Sequence, residues 1–187
     1  SFIFGGEESY GYLPLDFVRD KDAISSCYFF AEMADWLSES GSTLYDFLNS
    51  IYLKFGLYQE DLLSITMKGI DGMERIQKMM ALFRESAPSE FGGVRLARTA
   101  DYLTLLETEA GNTTRKPIRG IPGSDVLQFF LEDGSKITMR PSGTEPKIKF
   151  YFSVNARVAA EDLEGMKTTL RNRIDRFKSD LSAKINA

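Results

Sequence analysis

Lys147-Ile148-Lys149-Phe150-Tyr151-Phe152-Ser153-Val154-Asn155 is the stretch that decides the fold. Ile148, Phe150, Phe152 and Val154 alternate with Lys147, Lys149, Tyr151 and Ser153, a period of two that sets one row against a core and the other toward water. Strands of a parallel sheet are buried on both faces, so this alternation predicts an antiparallel strand with one wet face. Toward the N-terminus, residues 126–131 and 136–139 read as a hairpin turning at Asp133-Gly134. Residues 94–103 read as another strand, and 57–68 contain one in which Leu63, Ile65 and Met67 alternate. A helix over 72–84 carries Met73, Ile76, Met80 and Phe83 as its apolar stripe, with Asp71 and Glu74 placed for a capping box. A last helix over 160–184 buries Leu163, Met166, Leu170, Ile174, Phe177 and Leu181. Strand, helix, several strands, helix predicts an α+β layer, an antiparallel sheet with helices on one face.

The region before residue 57 has a different pattern. The spacing predicts a helix over 22–39, whose apolar residues (Ala23, Ile24, Cys27, Phe30, Ala31, Met33, Ala34 and Leu37) cover more than one stripe and imply a well-buried helix. Gly41 ends it. A second helix over 43–55 keeps the 3.6 period closely, with Thr43 as N-cap and Asp46 as its reciprocal partner. Ser1 to Phe4 is an apolar stub followed at once by two glycines, as at the end of a buried strand whose domain lies mostly upstream. Residues 87–93 read as a loop, and 109–124, rich in Gly, Thr and Pro, as an exposed, mobile connection.

With 187 residues the chain suits one large domain or two small ones. Its net charge of −4 argues against a broad nucleic-acid-binding face, so any anion site must be local, and residues 136–149 supply one with Lys136, Arg140, Lys147 and Lys149 against only Glu145. No run is apolar enough to span a membrane, and no stretch of these 187 residues reads as a secretory signal. The single Cys27 excludes an internal disulfide and fits a reducing compartment such as the cytoplasm. Histidine is absent, which removes Ser–His and Cys–His catalysis and imidazole metal sites from this chain. No cysteine or aspartate cluster has metal-ligand spacing.

Two loops carry candidate chemistry. Arg140-Pro141-Ser142-Gly143-Thr144-Glu145-Pro146-Lys147 lies between two strand-like runs and suits a phosphate group. Arginine offers a planar fork of donors, Ser142 and Thr144 offer hydroxyls, Gly143 allows an anion nest, and the prolines stiffen the loop. Pro-Ser-Gly is equally the chemistry of a connecting turn. Gly5-Gly6-Glu7-Glu8-Ser9-Tyr10-Gly11-Tyr12 offers carboxylates, a hydroxyl and phenols to a polyhydroxylated ligand, and Arg19-Asp20-Lys21-Asp22 adds cations. Alternatively it is a solvated loop leading to the helix capped by Asp22.

In this order and with this intervening pattern, the two motifs resemble the α-D-phosphohexomutases, the phosphoglucomutase and phosphomannomutase family. Gly6-Glu7-Glu8-Ser9 is similar to the family's sugar-binding loop in its third domain, and Arg140-Pro141-Ser142-Gly143-Thr144 to the phosphate-binding loop of its fourth. The resemblance implies that residues 1–56 are the helical end of an α/β third domain. It implies that 57–187 are a fourth domain with a TATA-box-binding-protein-like fold. It also implies an intramolecular phosphotransfer between hexose 1-phosphate and 6-phosphate through a phosphoserine and a bisphosphorylated sugar, with Mg²⁺ held by an aspartate-rich loop.

Neither the phosphoserine loop nor the metal loop occurs here. The resemblance therefore implies no catalytic residue and no metal ligand in this chain, inactivity when alone, and missing N-terminal domains as its partners beside the hexose phosphate. On the same resemblance Glu7 and Ser9 contact sugar hydroxyls, and Arg140, Ser142, Gly143 and Thr144 grip the phosphate that is not reacting. Lys21 reaches the active site, Lys147 adds positive charge, and Glu8 and Tyr10 support. Glu-Glu-Ser followed by Tyr10-Gly11-Tyr12, without histidine, resembles the phosphoglucomutase side. Phosphomannomutase and phosphopentomutase activities of the same family stay open, as does a non-catalytic sugar-phosphate-binding protein or an interaction module.

Overall fold

The computed structural model describes residues 2–7, 10–69 and 71–186. They divide into two compact units, Ser1–Phe55 and Gly56–Ala187.

In the first unit β1 (Gly5–Gly6) pairs antiparallel with β2 (Tyr12–Leu13). Residues 2–4 lie outside any strand, and Phe2, Ile3 and Phe4 are exposed, so the expected strand end is not there. The short β1–β2 ladder offers those residues no partner. Helix α1 (Ala23–Glu39) starts where the Asp22 carboxylate accepts from the N–H groups of Ile24 (3.0 Å) and Ser25 (3.3 Å). It stops at Gly41, whose φ of +71° is the left-handed geometry of a helix end. Helix α2 (Leu44–Phe55) has the expected reciprocal cap: Thr43 Oγ1 accepts from Asp46 N, and the Asp46 carboxylate accepts from Thr43 N. The expected burial of α1 fails. Of its apolar residues only Leu37 is buried, while Ile24 and Trp36 are exposed and Trp36 has only an edge contact with the Phe47 ring. A helix apolar on more than one stripe needs cover on more than one side, and this unit's described strands are two residues long.

The second unit contains β3 (Leu57–Thr66), α3 (Gly72–Glu85), β4 (Glu90–Phe91), β5 (Val94–Asp101), β6 (Leu106–Glu109), β7 (Arg115–Pro117), β8 (Leu127–Leu131), β9 (Lys136–Pro141), β10 (Lys147–Ala156) and α4 (Leu163–Asn186). The strands form one eight-stranded antiparallel sheet in the order β3-β10-β9-β8-β5-β6-β7, with β4 on β5. On β10, Ile148, Phe150, Phe152 and Val154 are at most 1% exposed, and their neighbours are half-buried, as the alternation requires. The covered face meets Ile76, Met80 and Phe83 of α3 and Leu170, Ile174, Phe177 and Leu181 of α4, all buried. The α+β layer expected from periodicity is the layer found.

Several local expectations are corrected. Asp71 stands at φ −88°, ψ 0°, away from the extended geometry of a capping residue, and makes no side-chain cap bond; Glu74 pairs with Lys78 instead. Met73 is exposed and Met79 takes its place in the stripe. The Gly92-Gly93 pair, read as loop, is a two-residue hairpin turn with both φ positive, joining Phe91 to Val94. Part of the expected mobile connection is strand: β7 pairs with β6, and Lys116 bonds Glu109 at 2.6 Å. All three β7 residues are exposed, so no apolar alternation announced it, and Pro117 is tolerated because the strand is an edge.

One ion cluster ties α4 to the sheet. Asp61 on β3 lies 2.6 Å from Lys178 Nζ and 3.4 Å from Arg171. Burial pushes its carboxyl up, but the Lys178 hydrogen bond, the Leu62 N–H and the two cations outweigh burial and leave it below its ordinary 3.8. A carboxyl lowered on folding adds stability above its unfolded value and loses it as pH falls through the folded one. Asp61→Asn should therefore cost about 1 kcal/mol at neutral pH. In urea titrations at several pH values, the gap from wild type should close as pH drops below 3.8. A gap independent of pH would exclude the ionised pair as its cause.

Candidate functional site

The first candidate lies in the second unit, where β9 hands over to β10. Ile148 opposes Pro141 and Lys149 opposes Arg140, so residues 142–146 form the connection. The loop is closed by its own bonds. Ser142 N donates to Lys147 O (2.8 Å), and Lys147 N to Glu145 O (2.7 Å). Ser142 Oγ accepts from Thr144 N (3.4 Å) and Glu145 N (3.3 Å). At its far end Pro146 O accepts from Met67 N (2.8 Å).

The loop bounds a cavity of about 430 Å³ lined by Arg140, residues 141–145, Lys147 and Lys149. All four residues expected to grip phosphate are there, with Lys147. The lining carries three cations against Glu145 alone, and among the described residues neither Arg140 nor Lys147 makes an ion pair. An uncompensated guanidinium beside two ammonium groups attracts a doubly charged anion. One reason given for Gly143 does not hold. Its φ is not in the left-handed region, and an added Cβ would meet nothing within 4 Å. The glycine leaves open space at the cavity rather than answering a backbone demand.

Lys149, which the sequence offers only as one of the cations around the loop and not as a phosphate-gripping residue, also lines the cavity. Its signal was present: it lies on the wet row of β10, and a hairpin register that opposes it to Arg140 puts both on one face.

The second candidate lies in the first unit. Glu7 N donates to Gly11 O (2.8 Å), closing a tight turn off the β1–β2 ladder. Tyr10 takes φ +63°, uncommon for a bulky residue and found where ligand loops store strain. Glu8 and Ser9 lie outside the described residues. A cavity of about 320 Å³ is lined by Gly5, Gly6, Glu7, Gly11, Leu13, Arg19, Asp20 and Lys21, so Glu7 and Lys21, far apart in sequence, share it. Lys21 Nζ lies 2.9 Å from Asp20 and 3.6 Å from Glu7. The Asp20 hydrogen bond, with the charges of Asp20 and Glu7, holds Lys21 above its ordinary value, and the same bond holds Asp20 below its own. Tyr12 packs against the rings of Phe4 and Phe30.

Gly11 makes the Glu7–Lys21 approach possible. A Cβ there would stand 2.7 Å from Lys21 Cγ and 3.4 Å from Glu7 Oε2. Gly11→Ala should push the lysine stem off the loop and separate the pair. Lys21 amine proton titration by NMR should then show a fall toward its ordinary 10.5, reduced by the lost Glu7 charge. An unchanged titration would mean the lysine does not depend on this gap.

Among the described residues no three His, Cys, Asp or Glu side chains gather to hold a metal ion, and no helix is long and apolar enough to cross a membrane.

Comparison with known proteins identifies the family. Residues 1–55 match the model of phosphoglucomutase/phosphomannomutase alpha/beta/alpha domain III, and residues 71–166 that of the phosphoglucomutase/phosphomannomutase C-terminal domain. The chain belongs to the phosphoglucomutase/phosphomannomutase family. It is 38% identical over 155 residues to a phosphoglucomutase of Staphylococcus haemolyticus strain JCSC1435, covering 83% of this chain and 28% of that protein. It is 39% identical over 157 residues to one of Staphylococcus aureus strain MSSA476, covering 84% and 28%. It thus spans a little over a quarter of these relatives' length. A crystal structure of the exocytosis-sensitive phosphoprotein pp63/parafusin, a phosphoglucomutase from Paramecium, in its open form, aligns with a TM-score of 0.50 at 18% identity over 84% of this chain and 26% of that one. At that identity the likeness is one of fold.

Proposed function

We propose that this chain is the substrate-binding C-terminal part of a phosphoglucomutase-type enzyme that interconverts hexose 1-phosphate and 6-phosphate. The observation that carries the reading is the 142–146 loop, with Arg140, Lys147 and Lys149 around one cavity and Arg140 without an ion-pair partner among the described residues. A sugar phosphate carries close to two charges at neutral pH and three acceptor oxygens. Arg140 grips two of those oxygens through its fork. The Ser142 hydroxyl oxygen already accepts from two backbone N–H groups, so its proton is directed to the ligand. Thr144 donates similarly, and the lysines supply the remaining charge. In the first unit the Glu7 carboxylate accepts from sugar hydroxyls, with Lys21 setting the field beside it; Ser9 and Glu8 join it on this reading.

Phosphoryl transfer depends chiefly on alignment and charge stabilisation, so a fixed grip on the distant phosphate serves catalysis without touching the reacting atoms. The phosphoserine and Mg²⁺ of this reading belong to other domains of a longer, cytoplasmic protein. The described residues of this chain gather no set of side chains suited to the metal. The test is mutase activity of the full-length protein containing this chain on glucose 1-phosphate, with mannose 1-phosphate and ribose 1-phosphate alongside. Turnover of the glucose ester, with none by the 187-residue chain alone, is the expected result. Turnover of none of the three would sink the reading in favour of a sugar-phosphate-binding protein.

A further inference from the structure

We propose that Gly72, the first residue of α3, is a positioning residue for the phosphate-gripping loop, although it does not line the loop's cavity. This rests on the reading of residues 140–147 as a phosphate site. Three pieces of chain meet at Gly72: the end of β3, the start of α3 and the last residue of the loop. Met67, just past β3, donates its N–H to Pro146 O at 2.8 Å, and the preceding Thr66 is in register with Lys147. Gly72 is buried against the same two residues. A Cβ on it would stand 2.1 Å from Met67 O and 3.0 Å from Pro146 Cβ. Gly72 is not in the left-handed region, so glycine is required here by space alone.

The direction in which an added methyl would be relieved follows from what is fixed. Met67 cannot retreat without surrendering its bond to Pro146 or carrying Pro146 with it. Helix α3 cannot easily back away, because Ile76, Met80 and Phe83 are held in the core, and Arg84 near its far end bonds Asp101 and Asp125. The loop is held less firmly between its ends. Residues 143–145 are exposed, and Pro146 is the point at which the loop is fastened to the rest of the unit. The overlap is greatest at Met67 O, so the Met67 peptide gives way first and carries Pro146 with it through the Met67 N–H, while Pro146 Cβ is itself pressed at 3.0 Å. The displacement passes along Lys147 N to Glu145 O and Ser142 N to Lys147 O into the segment that carries Ser142 and Thr144. Gly72 and Met67 N–H thus set the height of the loop over the sheet, while Arg140 stays on its strand. A shift of about 1 Å in a positioning contact is enough to lose up to about 100-fold.

The test is calorimetric binding of glucose 1-phosphate to the 187-residue chain, well below each variant's melting temperature, for wild type, Gly72→Ala, Met67→Pro and Arg140→Ala. Gly72→Ala should raise Kd about tenfold or more at a temperature where the protein is folded. A purely structural glycine would lower the melting temperature and leave that Kd unchanged. Met67→Pro removes the N–H that holds Pro146, together with the methionine side chain, at a position whose predecessor is already extended as proline requires, and should raise Kd similarly. It decides the matter if Gly72→Ala does not fold. Wild-type Kd in a folded variant, with Arg140→Ala impaired, overturns the positioning role alone. No binding by wild type, or wild-type binding by Arg140→Ala, overturns the phosphate site and the positioning role with it.

Discussion

Arg140→Ala should lower kcat/KM for glucose 1-phosphate in the full-length protein by about 100-fold to 1,000-fold, the loss expected when one partner of a bidentate, charge-assisted contact is removed. Arg140 ends on the wet face of β9, directly opposite Lys149, and no carboxylate among the described residues competes for it. Its guanidinium is therefore not claimed by an ion pair among the described residues. Arg140→Lys keeps the charge and loses the planar fork, so it should fall between wild type and alanine. Lys147→Ala should cost far less, because a half-exposed ammonium contributes mainly unspecific attraction. Steady-state kinetics of the three variants checks the order. Activity of Arg140→Ala within a few-fold of wild type would mean that the cavity is not the phosphate site.

Phe150→Ala should destabilise the second unit by about 3–5 kcal/mol, the range for removing a buried aromatic ring from a core. Phe150 is fully buried at the middle of β10, between Leu63 on β3 and Met139 on β9. A domain whose stability is about 5–15 kcal/mol would lose a large part of it. Urea unfolding, followed by probes in the second unit, should show the midpoint falling with the slope unchanged. A loss below about 1 kcal/mol would mean that the cavity collapses and that the β10 row is not the centre of the core.

What the sequence disclosed depended on which signal each element used. Strand β10, the β8–β9 hairpin and both long helices of the second unit bury one face, and a buried face writes its period into the residues. The caps at Asp22 and Thr43 were legible because capping is a local exchange between a side chain and nearby N–H groups. Strand β7 was not legible, since an exposed edge is held by backbone pairing that any residue can make. Helix α1 misled for the opposite reason: its apolar residues announce burial, but among the described residues only Leu37 of them is covered. The loop motif named its own residues. Lys149 entered through the register, and Gly72 through packing against a strand end, and neither relation is written in adjacent letters.

Strand β10 is hydrogen-bonded to β3 along its whole length and to β9 along most of it. Its reading frame is thereby locked from both sides. A single residue inserted after Phe150 would carry every side chain beyond it to the opposite face, turning Phe152 and Val154 toward water and Tyr151 and Ser153 toward the core. The turn at residues 110–114, exposed beside the β7 edge, has no such frame to keep. Insertions, labels and grafted peptides belong there, and length changes in this chain should be far better accepted at that turn than anywhere along β10.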